Sequence, residues 1–476
     1  MMLAGCGGGS NNTLAVVIPT ATPAQTTTAT PATTATPAAT ATPAATPTPA
    51  ATSTPTPAPS STSTPTPTPA PTPTLVPAVS NASVFAVDCT TQKAYVPLLF
   101  LGTGGDGEVA ELDLSVDPDV TDPRVATIST HIPDVPVSAA ADPIHGEILV
   151  SNKNEEDTGL LSVIKETDNS IASFPFPTGS APSQTDGVVY DPNRNLSLVS
   201  MSDALFTCAD VGSCTGTAMF NASTGKFTGF NQLSPTTNFA IDLKAQTSLL
   251  TALAITPSLN ALDLSNNNAC EFSDLNLTAL NADPDGVAAD STTGIWVIGN
   301  FGSSLATVVN LGGGTFSPPP NCMLTEGPVL PNSVNFDTGT GADMPGVAIN
   351  AATHQALLTA NTSNQVALLT LPSGPVHQLT SAMVTGVQTT VPNDPSGDDW
   401  VSATFPYAVV ADTCHNFGYI LDRQRDFLVQ VDLAQFQSNP AAISTALAAG
   451  HCAGTATRFL CDNNKGVKFF PLPDVN

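Results

Sequence analysis

From Val84 onward, apolar runs and polar breaks alternate in a fixed order: an apolar run enters an Asp or Asn, a tight turn follows, and a β-branched or aromatic run leaves it. Val84-Phe85-Ala86-Val87-Asp88 precedes Ala94-Tyr95-Val96, and Ala139-Ala140-Ala141-Asp142 precedes Ile148-Leu149-Val150. Gly187-Val188-Val189-Tyr190-Asp191 leads into Leu196-Ser197-Leu198-Val199, and Phe239-Ala240-Ile241-Asp242 into Ser248-Leu249-Leu250. The same order recurs around Asp290, Asn350 and Asp412, ahead of Ile295-Trp296-Val297-Ile298, Ala356-Leu357-Leu358 and Tyr419-Ile420-Leu421. Runs this short and this rich in Val, Ile and Leu suit strands buried between stacked sheets better than amphipathic helices. The Asp or Asn sits where the chain reverses, because its side chain can bond the backbone two residues on.

Most copies continue into a third strand, clearest at Glu108–Asp113, Leu160–Ile164, Leu259–Asp263, Gln365–Leu369 and Phe427–Asp432. A fourth, weaker strand carries Pro in Ile171–Phe176 and Val467–Pro471, which an edge strand tolerates and a central one does not. Seven copies at a period of roughly 50 to 60 residues predict an all-β fold. The expected architecture is a seven-bladed β-propeller of four-stranded antiparallel blades over residues 78–476.

The run resembles the YVTN and NHL families of propeller repeats over about residues 80 to 476. The resemblance rests chiefly on Asp283-Pro284-Asp285-Gly286-Val287-Ala288-Ala289-Asp290 followed by Gly294-Ile295-Trp296-Val297-Ile298-Gly299-Asn300. Asp285 and Asp186 precede Gly at the entry to the first strand of their blades, and Asp134 and Asp343 lie a few residues ahead of theirs. If those strands line the central channel, the four carboxylates gather at one mouth. Gluconolactonase-like propellers are similar at this point, and that likeness implies a divalent metal there with Asp285 as the residue that carries over. Turn formation alone also accounts for Asp-Gly. No motif requires a cofactor; Ca2+ is the ion such oxygen donors would take.

Composition changes abruptly before the repeats. Residues 1–80 contain no Asp, Glu, Lys or Arg, and 13–77 are dominated by Thr, Pro and Ala. Such a stretch cannot bury enough apolar surface to offset its ordering entropy, so a disordered stalk is expected, reaching on the order of 150 Å in polyproline II form. Residues 1–12 hold Leu3-Ala4-Gly5-Cys6 and a Gly/Ser spacer, and Leu3–Cys6 resembles the lipobox of bacterial lipoproteins. That resemblance implies lipidation of Cys6 and an extracytoplasmic protein anchored to the bacterial envelope membrane. Only Met1 and Met2 precede the box, too few for the charged and apolar regions of a leader.

Eight further cysteines are an even number, which an oxidising compartment turns into disulfides. Cys208 and Cys214 flank a turn and are expected to pair locally. Cys270 and Cys322 fall near the outer strands of neighbouring blades. Cys89 and Cys414 occupy matching turns of the first and last blades, where a bond would latch the ring, which leaves Cys452 with Cys461. Cys414-His415 and His451-Cys452, with Cys461 near, could also hold zinc, but at no standard spacing.

The chain carries a formal charge of −27, all of it beyond the stalk, which repels phosphate backbones and excludes nucleic acid as a partner. Acid-rich segments at 113–122, 154–157 and 393–399 read as solvated loops, none in EF-hand order. There is no Gly-x-Ser-x-Gly elbow, phosphate loop or His-Glu-x-x-His, and the six histidines are not expected to recur at a matching blade position. The reading is a surface-anchored, non-enzymatic binding module for a protein or glycan partner. A metal-dependent lactonase-like hydrolase and an envelope scaffold or filament subunit are the alternatives.

Overall fold

The computed structural model describes residues 84–473 apart from 99–106, 119, 131–134, 154–159, 176–184, 202–215, 233–237, 253–257, 265–267, 273–282, 302, 311–331, 338–345, 361–363, 375, 377, 391–405, 423–426, 450–451, 456–457 and 462–465. The lipobox and stalk segments lie outside the described residues.

Seven four-stranded antiparallel sheets follow one another along the chain, at 86–129, 135–175, 185–232, 238–272, 283–337, 346–390 and 406–471, numbered here as blades 1 to 7. Within each sheet the strands lie in sequence order, joined as a meander. The first strands are Ala86–Asp88, Val135–Asp142, Thr185–Asp191, Asn238–Asp242, Asp283–Asp290, Gly346–Asn350 and Pro406–Asp412. Each packs against the first strands of both neighbouring blades, and the cycle closes from blade 7 back to blade 1. That makes them the innermost strands of a closed ring, the seven-bladed propeller that the repeat predicts.

The apolar core is a set of wedges between blades rather than one central mass. Between blades 1 and 2, Tyr95, Val109 and Ile128 meet Ala139, Ile148 and Val150, and between blades 6 and 7, Leu357 and Leu368 meet Val409, Ile420 and Val431. Blades 7 and 1 share Val410, Tyr419 and Phe470 with Phe85, Val96 and Leu112. This is the layered burial that purely apolar strand runs require, because each sheet is covered on both faces.

Blade 7 departs from the all-β expectation. Between its third strand, Phe427–Asp432, and its outer strand, Val467–Pro471, the chain inserts helix α1 (Leu433–Ser438), helix α2 (Pro440–Ala449) and a hairpin of Cys452–Thr455 with Arg458–Cys461. Asp432 caps α1 by accepting from the Gln435 amide at 3.0 Å, and Asn439 accepts from Ala442 at 3.1 Å ahead of Pro440. These are ordinary helix-start chemistries, with Pro in the first turn where its missing N–H costs nothing. Phe436, Ile443, Ala446 and Leu447 bury the pair against blade 6.

Candidate functional site

The turn joining first to second strand has the same build in all seven blades. It spans four residues, 89–92, 143–146, 192–195, 243–246, 291–294, 351–354 and 413–416. Its last residue always has positive φ: Gln92, Gly146, Asn195, Gln246, Gly294, His354 and Asn416, between 53° and 76°. Its entering Asp or Asn is buried in every blade, at no more than 2 % exposure. That side chain accepts from the amide two residues on, as in Thr90 to Asp88 (2.7 Å), Ile144 to Asp142 (3.0 Å), Asn193 to Asp191 (2.9 Å) and Ala352 to Asn350 (3.0 Å). A buried carboxylate thus takes the place of backbone pairing in a tight reversal.

Adjacent turns and their strands are then stitched into a belt. Thr91 Oγ1 donates to Glu166 Oε2 between blades 1 and 2, and the Val188 amide to Ser138 Oγ between 2 and 3. Arg194 reaches Gln246 Oε1 at 2.9 Å between blades 3 and 4, and the Leu243 amide reaches Ser291 Oγ at 3.0 Å between 4 and 5. His354 Nδ1 meets Asp290 Oδ2 at 2.8 Å between blades 5 and 6, and Asn350 donates to Asn416 Oδ1 between 6 and 7. Blades 7 and 1 are joined by Gln92 with His415 and by the disulfide Cys89–Cys414, Cα–Cα 5.8 Å, across 325 positions of chain. The expected latch is therefore in place.

Histidines do recur at matching positions, contrary to the sequence reading. His145 and His415 each stand three residues after the turn Asp and hold its Oδ2 through Nδ1, at 2.7 and 3.0 Å, and Arg194 takes the equivalent place against Asp191. The spacing Asp-x-x-His, in Asp142-Pro143-Ile144-His145 and Asp412-Thr413-Cys414-His415, carries this signal. Burial, reinforced by the Asp88 carboxylate, pushes Glu166 up to about 7, and burial pushes Asp242 up to about 6. Burial also holds the Tyr95, Tyr190 and Tyr419 phenols above their ordinary range.

Of the four carboxylates expected at the channel mouth, the structure describes one side chain. Asp285, half-buried at the start of its blade's innermost strand, accepts from Asn238 Nδ2 of blade 4 at 2.9 Å. Asp186 lies on the innermost strand of blade 3, but its side chain, with all of Asp134 and Asp343, is outside the described residues. Among the described residues, the one group of three potential ligands with mutually close donor atoms is Cys89, Asp412 and Cys414, two of which form the disulfide. Cys414 and His415 of the zinc reading are thus committed elsewhere. In the acid-rich segment 113–122, Asp113 accepts from Ser115, and Arg124 grips Asp122 through Nε and Nη2, a contact that lowers the Asp122 carboxyl below its ordinary range. The segments 154–157 and 393–399 lie outside the described residues.

Cys452 and Cys461 stand directly opposite in the register of the blade 7 hairpin, and Cys270 lies on the outer strand of blade 4. Cys6, Cys208, Cys214 and Cys322 lie outside the described residues.

On the opposite face, the connections between second and third strands are unequal, from 302–304 in blade 5 to 202–215 in blade 3. A shared clamp closes two of them. Asn152 Nδ2 donates to Leu160 O and Ser162 Oγ in blade 2, and Asn300 Nδ2 to Leu305 O and Thr307 Oγ1 in blade 5. The Asn that ends the repeat motif is therefore structural in both.

No protein-family model matches this chain, and no curated protein matches its sequence. Among solved structures it is similar to hydrazine synthase of Kuenenia stuttgartiensis (10% identity over 76% of this chain and 98% of that one, TM-score 0.45). It is also similar to a chain of a mitotic checkpoint complex (9%, 72% and 87%, 0.47) and to the Cps50 (Swd1) β-propeller domain of Myceliophteria thermophila (5%, 63% and 84%, 0.43).

Proposed function

We propose that this chain is a lipid-anchored lipoprotein of the bacterial envelope, with YVTN/NHL-like repeats, whose propeller binds a protein or glycan at the end of a Thr/Pro-rich stalk. The observation that carries the reading is the contrast between the two faces of the disc. On the uniform face, every turn carboxylate is bonded within its own turn, and each described histidine is bonded to one of those carboxylates. On the other, connections of unequal length hang from a rigid frame, the arrangement by which scaffolded loops bind partners. The net charge of −27 keeps such a disc away from anionic surfaces and soluble at high density on a membrane.

Two measurements on the full chain test this. Labelled palmitate is expected to enter the wild type and not Cys6→Ala. Lactone hydrolysis with added Ca2+ or Zn2+ is expected to stay at the buffer rate, whereas metal-dependent turnover lost in Asp285→Ala would replace the binding reading with the hydrolase.

A further inference from the structure

The seam that closes the ring gathers donors that the other turns do not carry. Cys89 directly follows the turn carboxylate Asp88 of blade 1, and Cys414 stands two residues after Asp412 of blade 7. The same two positions in the other five turns hold no Cys, His, Asp or Glu. The two sulfurs and a carboxylate oxygen of Asp412 all lie within 4.8 Å of one another. Cys89 and Asp412 are buried, whereas Cys414 is half-buried, so the group is open to small solutes from the Cys414 side.

The carboxylate of this group is already aimed. Asp412 Oδ1 accepts from the Cys414 and His415 amides at 2.8 and 3.1 Å, and Oδ2 meets His415 Nδ1 at 3.0 Å. A carboxylate oxygen has two lone pairs, so Oδ2 keeps one for a further partner. Ligating carboxylates in metal sites are held in this way by hydrogen bonds from behind.

As a disulfide, the sulfurs hold no metal. Reduction by a phosphine breaks the S–S bond: phosphorus is oxidised to the phosphine oxide with an oxygen from water, and the two protons of that water go to the sulfurs. Two thiols then face Asp412 across a seam whose Cα–Cα distance is 5.8 Å. Zinc takes thiolate sulfur at about 2.3 Å in a tetrahedron, which sets two such sulfurs about 3.8 Å apart. Side chains on Cα atoms this close reach that spacing by rotation about Cα–Cβ. The protein charge of −27 favours a cation there.

We infer that, once the Cys89–Cys414 bond is reduced, the two thiolates and Asp412 bind one Zn2+, with water as fourth ligand, so that metal takes over the closure between blades 7 and 1. The two thiol protons pass to the buffer as the metal enters. The inference goes beyond the binding-module reading and does not rest on it.

The test is titration of the full chain, reduced with the phosphine under nitrogen, with Co2+ as a spectroscopic stand-in for Zn2+. Further cysteines are present, so the quantity read is the difference between the chain and Cys89→Ser. The chain is expected to bind one more equivalent of Co2+ than Cys89→Ser, with the visible bands of a tetrahedral site and a sulfur-to-cobalt charge-transfer band that Zn2+ bleaches. Both proteins are reduced, so the serine removes a ligand and not a covalent bond. Zn2+ is expected to raise the Tm of the reduced chain more than that of Cys89→Ser. Asp412→Asn keeps an acceptor in the turn, as Asn350 does in blade 6, and is expected to fold and to bind this equivalent at least tenfold more weakly. The unreduced chain is expected not to bind it.

Equal stoichiometry and equal spectra in the chain and Cys89→Ser would overturn the inference. So would undiminished affinity in Asp412→Asn, or binding of the same equivalent by the unreduced chain. If Asp412→Asn fails to fold, the comparison with Cys89→Ser and Cys414→Ser decides alone, and both must lose the equivalent.

Discussion

The two faces of the disc spend the same kinds of residue differently. On the turn face, Asp88, Asp142, Asp191, Asp242, Asp290 and Asp412 are all buried, and each is tied to its own turn. At the opposite rim, among the described residues, an Asn clamps the connection of blade 2 and another that of blade 5, and the connections differ in length from blade to blade. Polar groups that are buried and bonded specify structure. The difference teaches that the conspicuous chemistry of this molecule, its turn carboxylates with their His and Arg partners, belongs to its scaffold.

The largest break in that comparison is expected at the latch. All strands of blade 1 come from 86–129 and those of blade 7 from 406–471, so no exchanged strand staples the ends. The bond between Cys89 and Cys414 closes nearly the whole propeller. Cys89→Ser with Cys414→Ser is expected to cost on the order of 4–5 kcal/mol in denaturant titration, with hydrogen exchange rising first in blades 1 and 7. Mapping of unreduced peptides should recover Cys89–Cys414, and Cys452–Cys461 as well, because residues directly opposite in an antiparallel pair lie within disulfide reach.

A single carboxylate comes next. Asp290 accepts from the Thr292 and Thr293 amides and Thr292 Oγ1, and pairs with His354 of the next blade. Asp290→Ala is expected to destabilise by about 3 kcal/mol by equilibrium unfolding, since it removes one buried acceptor that several donors share. Asn300→Ala, which opens the loop clamp on the other face, is expected to cost about 2 kcal/mol on the same measure. If Asp290→Ala proves the milder of the two, the division of labour between the faces is lost.

Acid should strengthen the turn face. Glu166 and Asp242 bind protons more tightly in the folded chain, at about 7 and about 6, than their ordinary values of 4.5 and 3.8. Between those limits the native state holds more protons than the unfolded one, so stability falls as pH rises through 6 to 7 and is recovered below. Tm is expected to climb by on the order of a few degrees from pH 8 to pH 5.5, and Glu166→Gln to flatten much of that slope.

The ring was legible in the sequence because its signals are local. An apolar run ending in Asp or Asn before a four-residue turn encodes both the strand and its reversal, and counting such turns put Cys89 opposite Cys414. The helices of blade 7 are announced only by Asp432, Asn439-Pro440 and the Ala-rich run that follows, local helix-start signals that interrupt the strand repeat without changing its order. The His145 and His415 pairings sit at a spacing that can be seen. His354 with Asp290 joins residues 64 positions apart on different blades, and no spacing within one repeat announces it.

The finest test of the turn face is its last position. Seven blades place that residue at positive φ, and only Gly146 and Gly294 are glycine there. At Gly146, φ is 63° and a Cβ would meet no atom within 4 Å, so Gly146→Ala changes the backbone preference and nothing else. It is expected to lower stability by about 1 kcal/mol in denaturant unfolding, the usual cost of a left-handed alanine. Gly146→Asn should cost clearly less, because Asn tolerates this region and already fills the position as Asn195 and Asn416. Equal losses for Ala and Asn would mean that something besides φ is selected there, and the seven turns would no longer be one device repeated.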